Sequence, residues 1–262
     1  MNATTTSWPG PEVVHPAIER ATAMRLAETE YRRVADTVDA LQADDWTRPT
    51  DCTAWDVRQL AAHIAGMAAF ASTPLEMARQ TRAAKTRLQD GQAFIDAQTA
   101  LQVEQRQHLG RDELRAELRR VGPRAAKGRR RTPRFVRRLR LPEPQTVNGS
   151  PETWSIGYLT DVILTRDPWM HRMDVARATG RAPVLTADHD GIIVADVVRE
   201  WARRHGRPYR LELTGSAGGT WSDGTGGEQL VMDAVDFCRT VSGRPGPGGD
   251  PPTGLLATQV PF

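Results

Sequence analysis

Apolar residues recur at helical spacing through the first two thirds of the chain. Between about Pro16 and Leu41 they fall on one stripe, which consists of Ala27, Tyr31, Val34, Val38 and Leu41. Because residues three and four positions apart share one face of a helix, this pattern predicts an amphipathic helix that packs in a bundle. Further helices are predicted over 75–89, 92–107 and 111–121, before an arginine-rich stretch that prolines interrupt.

A second helix has a recognisable start. Thr53, followed three residues later by Asp56, forms a pair that resembles a capping box. Apolar residues then repeat at helical spacing: Val57, Leu60, Ala61, Ile64, Met67 and Ala68. His63 falls at the edge of this stripe, where a side chain can face an internal cavity. We interpret His63 as a candidate metal ligand, and a histidine held only by hydrogen bonds is the alternative.

The segment from Ser155 to Thr179 is the most hydrophobic part of the chain, and Gly180 is predicted to end its helix. Pro168 directly follows Asp167. Either a new helix therefore begins with Asp167 as its N-cap, or one long helix is kinked at this point. Charged side chains placed in such apolar surroundings need partners.

Asp167 and His171 are four residues apart and therefore share one face of a helix. If the fold brings His63 beside them, the three side chains form a two-histidine, one-carboxylate metal site with positions open for water or substrate. An Asp/His pair that only supports its helix is the alternative. Asp174, one turn after His171, is placed to accept the imidazole N–H of that ligand, and pairing with a neighbouring arginine is the alternative there.

The pattern changes in the last third of the chain. Thr186 is predicted to cap a helix over 186–205. Strands are predicted over 209–214 and 219–223, joined by a glycine-rich hairpin turn that lacks a phosphate-binding motif. A final helix is predicted over 228–242. Together these elements predict a small α+β module behind the helical bundle.

Composition bounds the class of protein. The chain has 262 residues, of which 39% are hydrophobic, and we predict an α+β fold with a bundle over 12–181 and the small module over 182–262. Cys52 and Cys238 have no metal-binding spacing, so we interpret both as packing residues. No apolar run reaches the ~18 residues that a membrane span needs, and the start lacks the apolar stretch of a signal peptide. We therefore expect a cytoplasmic protein with no membrane partner.

Positive charge is concentrated between Arg124 and Arg140, where nine residues are basic and none is acidic. Phe135 is the only aromatic residue in this stretch, so the interleaved aromatic residues that stack on nucleic acid are missing, and no nucleic-acid partner is predicted. We interpret the stretch as a solvated helix face and loop. A mobile cover over an anionic substrate is the alternative.

Two segments carry a resemblance to a known family. Residues 46–63 and 165–180 resemble the maleylpyruvate isomerase family of mycothiol-dependent enzymes, which belong to the DinB-like metal-binding four-helix bundles of actinobacteria. Residues 235–244 resemble the C-terminal module of these enzymes, which is related to sterol carrier domains. Two positions depart from the pattern: Asp167 stands where these bundles often have glutamate, and Ala54 replaces the usual glycine.

The resemblance implies a divalent metal, usually zinc with iron, nickel or cobalt as alternatives, held by His63, Asp167 and His171. It also implies mycothiol as the thiol cofactor. The enzyme would activate this thiol for addition to an electrophilic small molecule, giving isomerisation or thiol transfer, as a monomer or homodimer. Arg239 or Arg244 would bind a substrate carboxylate or stabilise an enolate, or form a surface ion pair. A binding protein with a structural metal and a non-haem iron enzyme are the other classes.

Overall fold

The computed structural model describes residues 12–244, 246, 249 and 251–262. The helices are α1 (Arg20–Asp39), α2 (Val57–Ser72), α3 (Pro74–Lys85), α4 (Phe94–Glu104), α5 (Arg111–Arg131), α6 (Arg134–Arg137), α7 (Ile156–Tyr158), α8 (Leu164–Thr179), α9 (Asp190–His205) and α10 (Ala234–Val241). The strands are β1 (Val13–Val14), β2 (Gln145–Val147), β3 (Ser150–Trp154), β4 (Tyr209–Thr214), β5 (Gly219–Asp223) and β6 (Glu228–Asp233). Short 3-10 helices cover Ala43–Thr47 and Gly254–Ala257, and a π-helical segment covers Leu159–Ile163. Across these described residues, no helix combines the length and the apolar character needed to span a membrane.

Helices α1, α2, α5 and α8 form the predicted four-helix bundle, in which each helix packs against two others. Their buried apolar residues lie at the spacing that the sequence indicated, and they include Val34, Leu60, Ile64, Leu118 and Val175. Helices α3 and α4 form a hairpin that packs on α2. The α+β fold class is confirmed.

Two predicted helix ends in the bundle are wrong. Asp56, and not Thr53, caps α2: its carboxylate accepts the Gln59 N–H, and the Gln59 side chain accepts the Asp56 N–H. Helix α5 also continues through Pro123 to Arg131, past the predicted stop at residue 121. Its last turns bury Ala125 and Ala126 in the bundle, and this packing outweighs the local preference of proline for a helix end.

Helix α8 neither restarts nor stops at Pro168. It follows the π-helical segment directly and runs unbroken to Gly180, whose left-handed backbone (φ 69°) ends it as predicted. Proline has no N–H for the carbonyl four residues earlier, which belongs to Leu164. Arg129 donates to that carbonyl instead, at 2.8 Å, and also to the Thr160 carbonyl at 2.6 Å. Arg129 is buried, so the prediction of a wholly solvated basic stretch is wrong at this residue.

The last third of the chain forms the predicted α+β module, with one element of a different type. Strand β4 lies between β5, which is antiparallel to it, and β6, which is parallel. The residues 228–233 were predicted to open the last helix, but they form β6. Leu230 and Met232 face the core while Val231 between them is 70% exposed, an alternation that suits a strand. Asp233 then caps α10.

The start of α9 also differs from the prediction. Thr186 precedes the helix by four residues, and its backbone N–H donates to the carboxylate of Asp190, the first residue of α9. Asp190 also accepts from Arg172 on α8 at 2.6 Å, and Arg172 donates in turn to Glu30 on α1. These three buried charged side chains tie α9 to the bundle.

The apolar core continues from the bundle into the module. Trp169 and Met173 on one face of α8 pack in the same cluster as Val194, Trp201 and Phe237. The opposite face of α8 contributes Val175 to the bundle core. Helix α8 therefore lies between the two parts, and its polar residues are placed by packing on both sides.

Candidate metal centre and the adjoining cleft

Three predicted ligands converge where α2 meets α8. His63 Nε2 lies 3.4 Å from Asp167 Oδ1, and His171 Nε2 lies 3.3 Å from the same oxygen. One donor atom from each residue lies within 4.8 Å of the other two. The four-residue spacing of Asp167 and His171 on α8 accounts for their common direction. The structure therefore brings these three side chains together as the sequence predicted.

A chain of buried amides fixes the orientation of His63. Gln80 Nε2 donates to the Gly66 carbonyl at 3.2 Å, so its oxygen faces Gln102. Gln102 Nε2 donates to that oxygen at 3.0 Å, which turns Gln102 Oε1 toward His63 Nδ1 at 2.9 Å. His63 Nδ1 therefore donates to Gln102, and Nε2 is the atom of His63 that faces Asp167. Sequence reasoning missed Gln80 and Gln102.

Asp174 fixes the second histidine in the same way. His171 Nδ1 lies 3.0 Å from Asp174 Oδ2, as the predicted role of Asp174 requires. The alternative partners on its own helix are engaged elsewhere, because Arg172 pairs with Glu30 and Asp190, and Arg177 pairs with an exposed aspartate. The Nε2 atom of His171 therefore points toward Asp167, where loss of its proton would free a lone pair for a metal ion.

The two candidate catalytic arginines meet at Asp174. Arg239 Nη1 lies 3.0 Å from Asp174 Oδ1, and Arg244 Nη2 lies 2.7 Å from Oδ2. Arg239 also pairs with Asp51 at 2.8 Å. An ion pair was one of the predicted roles, but at Arg239 it lies in the interior, since that residue is only 2% exposed. Neither arginine is among the described residues that line the adjoining cleft.

The electrostatics of the three ligands favour a bound cation. Burial raises the pKa of Asp167, but the positive charge of His171 and His63 outweighs it and holds that pKa far below its ordinary range. Burial lowers the pKa of His171, but Asp167 and then Asp174 outweigh it and raise that pKa well above its ordinary value. The Asp167 carboxylate therefore holds a proton on His171 unless another cation takes its place.

The donor set fits a divalent metal ion. Two imidazole nitrogens and one carboxylate oxygen are ligands that zinc and other first-row metals accept. Asp167 Oδ2 is buried and has no hydrogen-bond partner among the described residues, although a buried carboxylate oxygen normally has one. Trp55 stacks on His63 with ring centroids 5.0 Å apart and limits the motion of that ring.

Cys52 lies behind the site instead of serving only as a packing residue. Its sulfur is 3.8 Å from His171 Nδ1, 3.6 Å from Asp174 Oδ2 and 3.7 Å from Arg244 Nη2. The thiol therefore lies beside Asp174, the residue that orients His171. It is on the Nδ1 side of the imidazole, whereas Asp167 is on the Nε2 side. Cys238 is fully buried, as predicted, and burial raises the pKa of its thiol.

A cleft of about 1350 Å³ adjoins the three ligands, and His63, Asp167 and His171 form part of its wall. Helices α2, α3 and α4, the loop before β2 and the π-helical segment supply most of the remaining wall. Ser242 and the segment 259–262 complete it from the C-terminal module. Both parts of the fold therefore contribute to this cleft.

Comparisons of sequence and fold relate the chain to known proteins. The sequence profile of the Mycothiol maleylpyruvate isomerase N-terminal domain matches residues 27–176. The crystal structure of mycothiol-dependent maleylpyruvate isomerase is similar in fold, with 16% identity and a TM-score of 0.53, and that of a mutant of this isomerase gives 15% and 0.54. Both alignments cover 90% of this chain and 95% of the other. No curated protein gives a significant match. Because the matched residues exceed half of the chain and include all three candidate ligands, the chain belongs to the mycothiol maleylpyruvate isomerase family.

Proposed function

We propose that this protein is a metal-dependent enzyme that activates mycothiol for addition to an electrophilic small molecule. Elimination of the thiol after bond rotation would give isomerisation, and retention of the adduct would give thiol transfer. The observation that carries the proposal is the convergence of His63, Asp167 and His171 on one point beside a large cleft. Membership of the family supports the thiol, because relatives of similar fold are mycothiol-dependent isomerases.

Each ligand has a defined part in this proposal. His63 Nε2, His171 Nε2 and a carboxylate oxygen of Asp167 would hold the ion and leave at least one position open toward the cleft. When bound, a divalent ion with a single carboxylate ligand keeps net positive charge and lowers the pKa of a coordinated thiol, so that thiolate is present at neutral pH. Asp167 Oδ2 gains the partner that it lacks within the described chain.

The surrounding residues hold the ligands in position. Gln102 accepts a hydrogen bond from His63 Nδ1, and Asp174 accepts one from His171 Nδ1. Arg239 and Arg244 neutralise Asp174, which keeps this carboxylate ionised and directed at His171. We therefore assign the two arginines to positioning of the metal ligand and not to direct contact with substrate. This differs from the role that the sequence suggested for them.

Metal analysis of the three ligand variants tests the centre. We expect protein purified without added metal to contain one divalent ion, and His63→Ala, Asp167→Asn or His171→Ala to lose it while the fold is kept. Asp96→Asn and His108→Ala are matched controls, because Asp96 lines the same cleft but is not one of the three converging side chains, and His108 is exposed. Full metal content in all three ligand variants would contradict the assignment.

A cobalt-substituted protein tests the thiol. Addition of mycothiol should change the visible absorption spectrum, because sulfur enters the coordination shell at the open position. A spectrum that is indifferent to mycothiol and to simpler thiols would contradict thiol activation. Native iron combined with this indifference would support oxidation by a non-haem iron centre instead, since the same donor set serves that chemistry.

A further inference from the structure

The cleft beside the candidate metal centre is larger than one small molecule needs. Its volume of about 1350 Å³ exceeds the range of roughly 300–1,000 Å³ that is typical of small-molecule sites. It continues from the ligands to the α3–α4 hairpin and to residues 259–262. A thiol cofactor and a second molecule of substantial size therefore have room side by side.

The wall of this cleft is mainly apolar. Phe70 on α2, Met77 on α3, Phe94 on α4 and Leu159 and Ile163 in the π-helical segment all face it. Methionine and aromatic side chains adapt to apolar ligands of differing shape. The wall is therefore suited to a hydrocarbon chain or ring and offers little to a small, highly charged molecule.

Positive charge for binding anions is scarce on the same wall. Apart from the histidines, the basic residues among its described members are Arg82 and Lys85, both exposed at the end of α3. Lys85 is already paired with Glu143 at 2.6 Å. The wall carries three acidic residues, Asp96, Glu143 and Asp167, against these two cations.

Two arginines near the candidate centre are engaged elsewhere. Arg239 and Arg244 are bound to Asp174 and stay outside the lining of the cleft. A divalent ion held by Asp167 and carrying a thiolate would be electrically balanced, since two negative charges meet two positive ones. Of the two cations on this wall, Arg82 would then be left to offset a substrate with two carboxylates, and because Arg82 is exposed, burial of the second carboxylate is unfavourable.

We infer that the substrate of this site is a neutral, predominantly apolar electrophile, of which an α,β-unsaturated ketone with an aromatic ring is the representative class. This inference rests on the proposed thiol-addition function. In the reaction the thiol sulfur bonds to the β carbon, the electron pair of the double bond moves to the α carbon, and the proton released by the thiol is placed there. The addition balances with the thiol as the only other reactant.

Binding without the thiol tests the inference apart from turnover. Metal-loaded protein would be titrated calorimetrically with benzylideneacetone as the neutral probe and with maleate as the dicarboxylate probe. We expect the neutral probe to bind at least about tenfold more tightly, because the apolar wall favours its ring, whereas maleate brings two negative charges to a centre that has one net positive charge without the thiolate. Equal or tighter binding of maleate would overturn the inference.

A pair of variants on one helix locates the binding. Met77→Glu places a charge on the cleft wall, whereas Leu75→Glu places the same charge two residues earlier on α3 at a position that is 81% exposed. We expect Met77→Glu to weaken benzylideneacetone by about tenfold or more, because a charge on the wall disfavours an apolar ligand, and Leu75→Glu to leave it unchanged. Metal content and circular dichroism would confirm that both variants fold. Equal binding by both variants would contradict the inference, even if the cobalt test of the thiol succeeds.

Discussion

Changing Asp174 to asparagine removes one negative charge from a carboxylate that three cationic or donor groups share. His171 Nδ1, Arg239 and Arg244 all lie within 3.0 Å of its oxygens, and Asp174 is fully buried. Burial raises the pKa of Asp174, but hydrogen bonding from His171 and the charge of Arg244 outweigh it and hold that pKa below its ordinary range. The carboxylate is therefore fully ionised at neutral pH. Its contribution to stability is complete there and is lost only as the pH falls through the folded-state pKa.

The magnitude follows from what the variant leaves behind. Loss of one partner from a buried ion pair costs about 3–5 kcal/mol, because the other charge stays buried. Arg239 keeps its second partner, Asp51, so we expect a value near the lower end, about 3 kcal/mol. Loss of the group that orients a metal-bound histidine typically weakens metal binding by about 10–100-fold. Metal affinity and the free energy of unfolding should therefore fall together.

Two measurements and one control separate these effects. Urea unfolding of the metal-free protein gives the loss of stability, and competition with a chelator gives the metal affinity. Asp51→Asn makes the same chemical change at the other partner of Arg239, where the side chain is 34% exposed, and should cost no more than about 1 kcal/mol. If Asp174→Asn resembled Asp51→Asn in both measurements, the buried network would not orient His171.

Three further predictions concern Arg129, Gly66 and the segments that connect the helices. Arg129→Met should destabilise the fold by about 2–3 kcal/mol in urea unfolding, because the buried Thr160 and Leu164 carbonyls lose their guanidinium donors, and Leu164 keeps the longer contact with the Tyr31 hydroxyl. Arg130→Met, at an exposed position, should have little effect. Gly66→Ala should weaken metal binding in chelator competition, because the new methyl group would lie 2.5 Å from Gln102 Cβ and displace the partner of His63. Limited proteolysis should cut first within 132–149 or 181–184, and early cleavage inside the π-helical segment would contradict this arrangement.

The candidate ligands could be singled out because their positions depend on local spacing. A separation of four residues places Asp167 and His171 on one face of any helix, whatever surrounds them. The apolar stripe of α2 likewise fixed the face on which His63 lies. What spacing could not supply was the contact between the two helices, for which the resemblance to a metal-binding bundle was needed.

The hydrogen bond of Gln102 to His63 and the ion pair of Arg244 with Asp174 could not be predicted, because each joins residues that are far apart in the chain. Gln102 is 39 residues from His63, and Arg244 is 70 residues from Asp174. A glutamine in a helix with a weak apolar pattern and an arginine in a polar segment resemble surface residues. Strand β6 was missed for a related reason, because its parallel pairing with β4 depends on residues that are distant in sequence.

Arg129 connects the basic stretch between Arg124 and Arg140 to helix α8, which carries Asp167 and His171. It lies among nine basic residues that composition alone assigns to solvent, yet it supplies the donor that Pro168 withholds from the Leu164 carbonyl. A proline immediately after Asp167 can therefore stand inside an unbroken helix. Asp167 has a short side chain, so its backbone must be held accurately for the carboxylate to reach both histidines. The guanidinium of Arg129 stabilises the turn that does this, and a basic residue far from the ligands in sequence thereby helps to set the geometry of the candidate metal centre.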